Sequence, residues 1–345
     1  MLWGFYKLLR QAVTEGLIAE WEKQKGVILA FPHEETDWAD YLEEARECVV
    51  SIAININHYE TVYLLCRDEE EARSYFPWVQ NIVYIVCYFN DTWMRDCNVL
   101  SCFHEGDIKY KGFEFTGWGG KFESHLDNKL KHVLAKQGLY DQEAFEAVDY
   151  ILEGGAVESD GNGTILTTSA CLLNANRNKE HDKQSVETVI KKELYAQNIL
   201  WLDDGYLMGD DTDAHIDTLA RFCDEKTIAH VGLPDKEDEH YESLSKMIAS
   251  LENFRNINGE AYTLVALPFV PAIYDDGHRL PATYANFLMI NEAVLVPTYG
   301  VETDNKALDI FEEIFPTRNV ISVDCQVLIK EHGSLHCMTM QLPMI

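Results

Sequence analysis

The chain of 345 residues has no run of eighteen apolar residues, so nothing in it reads as a membrane-spanning helix. Positive charge is scarce: 28 Lys and Arg stand against 58 Asp and Glu, a formal net charge of −30. That balance repels phosphate backbones and anionic lipid, which excludes nucleic acid and membrane surfaces as partners. It favours small cations instead, if a pocket exists to hold them. No Cys-x-x-Cys pair is present, and nine cysteines are an odd count in a chain too large to need staples. The thiols are therefore expected to be reduced and the protein cytoplasmic. Pro/Gly/Ser-rich linkers and low-complexity segments are missing too, so a single domain is expected over residues 21–345. Residues 1–20 carry Lys7 and Arg10 inside an apolar stretch and no small-residue cleavage site, so they read as an N-terminal extension of unassigned role, an appended helix or an expression artefact, rather than a secretory signal.

Helical periodicity appears five times at broadly even intervals, over residues 40–56, 124–134, 186–194, 241–251 and 307–314. Between these helices lie short β-rich runs beginning near residues 26, 61, 81, 163, 227, 262, 293 and 319. Asp160-Gly161-Asn162-Gly163 joins two of them with the positive φ that a hairpin needs. A doubly wound parallel sheet alternates one strand with one helix, and this chain does not keep that beat. Five modules, each of strands plus one helix, fit better.

Four segments bear residues suited to chemistry. Asp211, Asp213, His215 and Asp217 alternate, which in an extended segment puts all four on one face. Four such groups make a poor core face, because buried carboxylates and imidazoles need partners. A calcium loop is excluded, since counting from Asp211 puts Ile216 and Phe222 where Gly and Glu are required. Two readings stay open: a divalent metal held by Asp211, Asp213 and His215 in a metal-dependent hydrolase, or a proton-transferring His beside a carboxylate that binds a cationic substrate. The second needs a nucleophile, and Cys337, in Gly333-Ser334-Leu335-His336-Cys337 near the C-terminus, is a candidate. Trp93-Met94-Arg95-Asp96 follows a β-rich run with an aromatic, a cation and an acid. Leu152-Glu153-Gly154-Gly155 sets a carboxylate before two glycines that permit close backbone approach.

Taken together and in order, these four segments resemble the agmatine deiminase family, in the peptidylarginine-deiminase-like branch of the guanidine-modifying superfamily. Supporting stretches are Phe31-Pro32-His33-Glu34, Cys171 through Asn178 and Ala282 through Phe287. The resemblance implies a five-bladed pseudo-symmetric α/β propeller, the pentein fold, around a central polar channel. It also implies hydrolysis of agmatine to N-carbamoylputrescine and ammonia, a step toward putrescine and other polyamines, without metal or organic cofactor. On matching positions Cys337 is the nucleophile, His215 the general acid and base, and Asp96, Glu153 and Asp217 the acidic groups. Trp93, Arg95, Asp96 and Asp217 are the expected substrate-binding residues. The partner implied is a small cationic guanidine; peptidylarginine or another alkylguanidine is the alternative substrate, and a homo-oligomer is left open.

Overall fold

A computed structural model describes residues 14–344. Strand β1 (Gly16–Leu17) leads to β2 (Gln24–Ala30), the helix Leu42–Asn57, β3 (Thr61–Cys66) and β4 (Ile82–Val86). Next come β5 (Leu100–His104), β6 (Asp107–Glu114), the helix Asp127–Lys136 and β7 (Phe145–Ile151). The pattern recurs in β8 (Val157–Ser159), β9 (Thr164–Thr168), the helix Lys183–Glu193 and β10 (Asn198–Leu202). It recurs again in β11 (Ala220–Phe222), β12 (Thr227–Val231), the helix Tyr241–Asn253 and β13 (Thr263–Leu267). A ribbon of β14 (Tyr274–Asp275) and β15 (His278–Arg279) precedes β16 (Leu288–Ile290), β17 (Ala293–Thr298), the helix Asp304–Ile314 and β18 (Asn319–Asp324). The last strand, β19 (Met340–Pro343), returns to pair antiparallel with β2.

The result is an α/β fold of several small sheets. Five of them share one wiring: a first strand pairs antiparallel with a central strand, which crosses through a helix to a third strand lying parallel to it. The first–central–third sets are β19–β2–β3, β5–β6–β7, β8–β9–β10, β11–β12–β13 and β16–β17–β18. In the first module the chain ends supply both partners, so the C-terminal strand locks the N-terminal one. The helices follow from one-sided patterning. In Leu42–Asn57 the residues Ala45, Cys48, Val49, Ile52, Ala53 and Ile56 are buried, the 3–4 spacing of a single face.

All five expected helices and all eight expected β runs are present, with ends displaced by a few residues. The Asp160–Gly163 turn joins β8 to β9, with Gly161 and Gly163 at φ 70° and 88°. The hairpin β5–β6 was not expected; it turns through Glu105 and Gly106, at φ 51° and 89°, without the Asn-Gly or Asp-Gly signal. The appended helix expected through residue 20 is absent over residues 14–20. There β1 pairs with β5, and Glu20 is buried; the rest of that expectation, residues 1–13, lies outside the described residues. All nine cysteines are unpaired. Among the described residues no helix is long and apolar enough to cross a membrane.

Candidate active site

Each of the five modules places a polar side chain in the loop just ahead of its first strand. Asp96 lies inside the helical turn Met94–Cys97 before β5, and Glu153 immediately precedes the turn Gly154–Ala156 before β8. His215 and Asp217 flank the start of the turn Ile216–Thr218 before β11, Asn286 stands two residues before β16, and Cys337 three before β19. Because the wiring repeats, five sequence-distant loops occupy equivalent positions, and their side chains meet.

Gly155 shows how closely they meet. A Cβ at this position would lie 2.8 Å from His215 Nδ1, 3.0 Å from Asp96 Oδ1 and 3.1 Å from Asp217 Oδ2. Only a residue without a side chain leaves that space free. Its own N–H donates to Asp96 Oδ1 at 2.8 Å, while Trp118 Nε1 donates to Asp96 Oδ2 at 2.9 Å. Asp217 Oδ2 accepts from His336 Nδ1 at 2.8 Å, but its Oδ1 is buried without a partner. Both ring nitrogens of the fully buried His215 are likewise unpartnered. Nδ1 lies 3.7 Å from Asp96 Oδ1 and Nε2 4.0 Å from Glu153 Oε2. Unpaired buried polar atoms facing one small space mark a place for a polar guest.

Cys337 Sγ lies 3.4 Å from Asn286 Oδ1 and 3.9 Å from Asp217 Oδ2. Asn286 Oδ1 also accepts the N–H groups of His336 at 2.8 Å and Cys337 at 3.3 Å, pinning the turn that carries the thiol. Burial, then the carboxylates of Asp217 and Asp96, push this thiol well above its ordinary pKa. Burial opposes charge on His215, but Asp96, Cys171 and Glu153 raise its pKa well above the usual histidine value. For Asp217 burial is again the opposing influence, and the His336 hydrogen bond holds the carboxyl below its ordinary value. Asp96 is raised, by burial first. Carboxylates thus flank both the thiol and the imidazole, a site prepared for a cation rather than an anion.

From this centre a cleft of about 370 Å³ opens between Trp93, Trp118 and Phe122, with Asp37, Asp211 and Glu331 among its other lining residues. Trp93 packs under Gly333, where a Cβ would lie 2.2 Å from the indole. Burial raises Asp211 to about 6 and Glu331 to about 7. Arg95 does not line this cleft. Its guanidinium donates to Gln341 Oε1 at 2.6 Å and lies 3.4 Å from Glu20 Oε2, beside a separate cavity of about 550 Å³ that excludes Cys337. Cys97 is a packed thiol.

The single extended face expected for residues 211–217 is not formed. Asp213 and Ala214 take left-handed φ of 67° and 64°, and the Asp210 carboxylate accepts from the backbone N–H of Thr212 and Ala214. These local bonds fold the segment into a turn, so the carboxylates diverge. Asp211 faces the cleft mouth, whereas Asp213 pairs with Arg177 at 2.6 Å and Lys121 at 2.9 Å. The metal centre envisaged from Asp211, Asp213 and His215 is not assembled.

Four contributors escaped the sequence reading. Arg177 Nε donates to both Glu153 oxygens at 2.9 Å and Nη2 to Thr212 O at 2.9 Å, tying three motifs together. Asn286 holds the nucleophile turn, and His336 lies between Asp217 and Glu20, 2.7 Å from Glu20 Oε2. Glu20 also meets Arg221 Nη2 at 3.0 Å, and Arg221 pairs with Glu158. Of these, Arg177 and Asn286 sat in stretches already noted for their family likeness and His336 in the Gly333–Cys337 motif itself, without a role; Glu20 left no local signal.

Fold and loop-borne site together define a hydrolase of the deiminase class on an α/β fold of small sheets. The model of the Porphyromonas-type peptidyl-arginine deiminase family matches residues 16–343, and the chain belongs to that family. It is 28% identical to the agmatine deiminase of Pseudomonas syringae pv. tomato over 360 residues, covering 94% of each chain. A solved cysteine-to-serine variant of C. jejuni agmatine deiminase with substrate bound is 37% identical, with a TM-score of 0.90 over 97% of this chain and 98% of that one.

Proposed function

We propose that this protein is an agmatine deiminase whose five modules close into a five-bladed α/β propeller, the pentein arrangement, with the site on its polar axis. The repeated wiring, the β19–β2 closure and the five equivalent loops support that arrangement. A guanidinium is planar and cationic, and its central carbon reacts slowly unless its N–H groups are fixed. Asp96 and Asp217 grip it from the flanks, Asp217 through its unpaired Oδ1. The bound cation offsets the carboxylates that keep Cys337 protonated, so the thiol releases its proton to solvent as substrate arrives, and the ammonia set free later takes up a proton there to leave as ammonium. Sulfur adds to the carbon, and His215 gives its proton to the departing ammonia. The neutral imidazole then takes a proton from water, which adds to the thiouronium carbon; the C–S bond breaks and the ureido product leaves with the thiol restored.

The cleft mouth carries the assignment to agmatine. Its acidic side chains are Asp37, Asp211 and Glu331, with His332 beside them and no Lys or Arg among the lining residues, and Arg95 is engaged elsewhere. A distal ammonium fits that mouth; the α-carboxylate of arginine meets repulsion without a cationic clamp. Release of ammonia and ureido product from agmatine, free arginine and a blocked arginine peptide tests this. Agmatine should exceed the others by at least about tenfold in kcat/KM, and Asp211→Asn should narrow the gap. Preference for the blocked peptide contradicts the assignment. The substrate is thus a small cationic guanidine, and the reduced cysteines fit a cytoplasmic enzyme.

A further inference from the structure

Cys171 has no task in the reaction above, yet it borders the reacting centre. It sits in the helical turn Ser169–Leu172 directly after β9, fixed where Thr168 Oγ1 accepts its backbone N–H at 3.3 Å. Its sulfur, a ring nitrogen of His215 and a carboxylate oxygen of Glu153 all lie within 4.8 Å of one another, and all three residues are buried. No other such group of three occurs among the described residues. We propose that Glu153, Cys171 and His215 form a binding site for one divalent cation of the zinc class, separate from the nucleophile, whose occupation withdraws His215 from catalysis.

The donor set decides the class of ion. One thiolate, one imidazole and one carboxylate suit zinc or cobalt, whereas calcium and magnesium take oxygen shells. Donors around a tetrahedral zinc stand roughly 3.3–3.7 Å apart, so side-chain rotations of about 1 Å close the present set. No hydrogen bond to oxygen or nitrogen commits either ring nitrogen of the buried His215. Glu153 is already oriented from behind by Arg177, the kind of outer partner that fixes a metal-binding carboxylate. The Arg177 charge is met in turn by Asp213 at 2.6 Å, and Asp96 lies 3.7 Å from the imidazole, so the surroundings remain acidic. Three protein donors leave a fourth position open to water.

The site is tested in full-length Cys337→Ala protein, which cannot offer the nucleophile as a ligand. Titration with Co²⁺ under reducing, anaerobic conditions should give one ion per chain with the charge-transfer absorption of a cobalt–thiolate bond. Adding Cys171→Ser should remove that absorption and weaken binding at least about tenfold. Cys171→Ala provides the same comparison should Ser unsettle the buried turn. Absence of thiolate-bound cobalt in Cys337→Ala, or absorption that survives both Cys171 changes, overturns the proposal. In the unaltered enzyme Zn²⁺ should inhibit deimination, and Cys171→Ser should raise the inhibitory concentration at least about tenfold. The inhibition rests on the proposed role of His215, the cobalt experiment does not; cobalt bound through Cys171 without inhibition supports the site and contradicts that role.

Discussion

Glu20→Gln removes one charge and almost no volume from a buried ionic cluster beside the site. Glu20 accepts from Met289 N–H at 2.7 Å and His336 Nε2 at 2.7 Å, and meets Arg221 at 3.0 Å and Arg95 at 3.4 Å. The cluster sets Glu20, Glu158 and Asp217 against two guanidiniums and an imidazole ring that faces a carboxylate on each side. Glu20 is the one carboxylate within ion-pair distance of Arg95 among the described residues, so deleting its charge leaves that buried cation uncompensated, which costs ~3–5 kcal/mol. For a chain of this length that lowers Tm by roughly 4–7 °C. Burial opposes ionisation of Glu20, yet Arg221, then His336 and Arg95, hold its pKa well below the ordinary 4.5. A depressed carboxyl stabilises the fold above its unfolded pKa and ceases to as pH falls through the folded one. The Tm gap between the two proteins should therefore be full at pH 7 and narrow below the unfolded carboxyl's range. Thermal unfolding at several pH values measures it. A gap under about 2 °C at pH 7, or one that widens in acid, refutes the reasoning.

Gly155→Ala should cost at least about 100-fold in kcat/KM, since its methyl would enter the space between His215, Asp96 and Asp217; steady-state kinetics with a far-UV spectrum separates this from misfolding. Asp217→Asn removes a carboxylate 3.9 Å from Cys337 Sγ. Even at a protein-like dielectric that charge is worth several kcal/mol, so the pH midpoint of thiol alkylation should fall by at least about 1 unit, and an unchanged midpoint counts against the electrostatic account.

Much of the frame was readable from periodicity, because each helix covers a sheet with one face, and spacing such as Ala45, Cys48, Val49, Ile52 announces it. Short first strands such as β8 and β11, three residues each, are too brief to carry a period. The segment 211–217 misled because alternation of polar types looks like a strand, while the Asp210 side chain captures the backbone it would need. Cys337, His215, Asp96, Asp217 and Glu153 stood out as a set of reactive types in ordered motifs. Glu20 and His336 meet across 316 positions, a contact made by the β19–β2 closure and invisible to any local pattern. Arg95 looked like a substrate ligand beside Asp96, but successive residues of the Met94–Cys97 turn point apart, and it serves the Glu20 cluster instead.

The claim that a sulfur–carbon bond forms at Cys337 is tested most directly by acid-quenching the enzyme during turnover of agmatine and weighing the peptide that spans Gly333–Met340. A mass increase matching the substrate less ammonia on Cys337, enriched in His215→Ala, is the expected result. An unmodified Cys337 peptide at every quench time, together with turnover retained in Cys337→Ser, contradicts it.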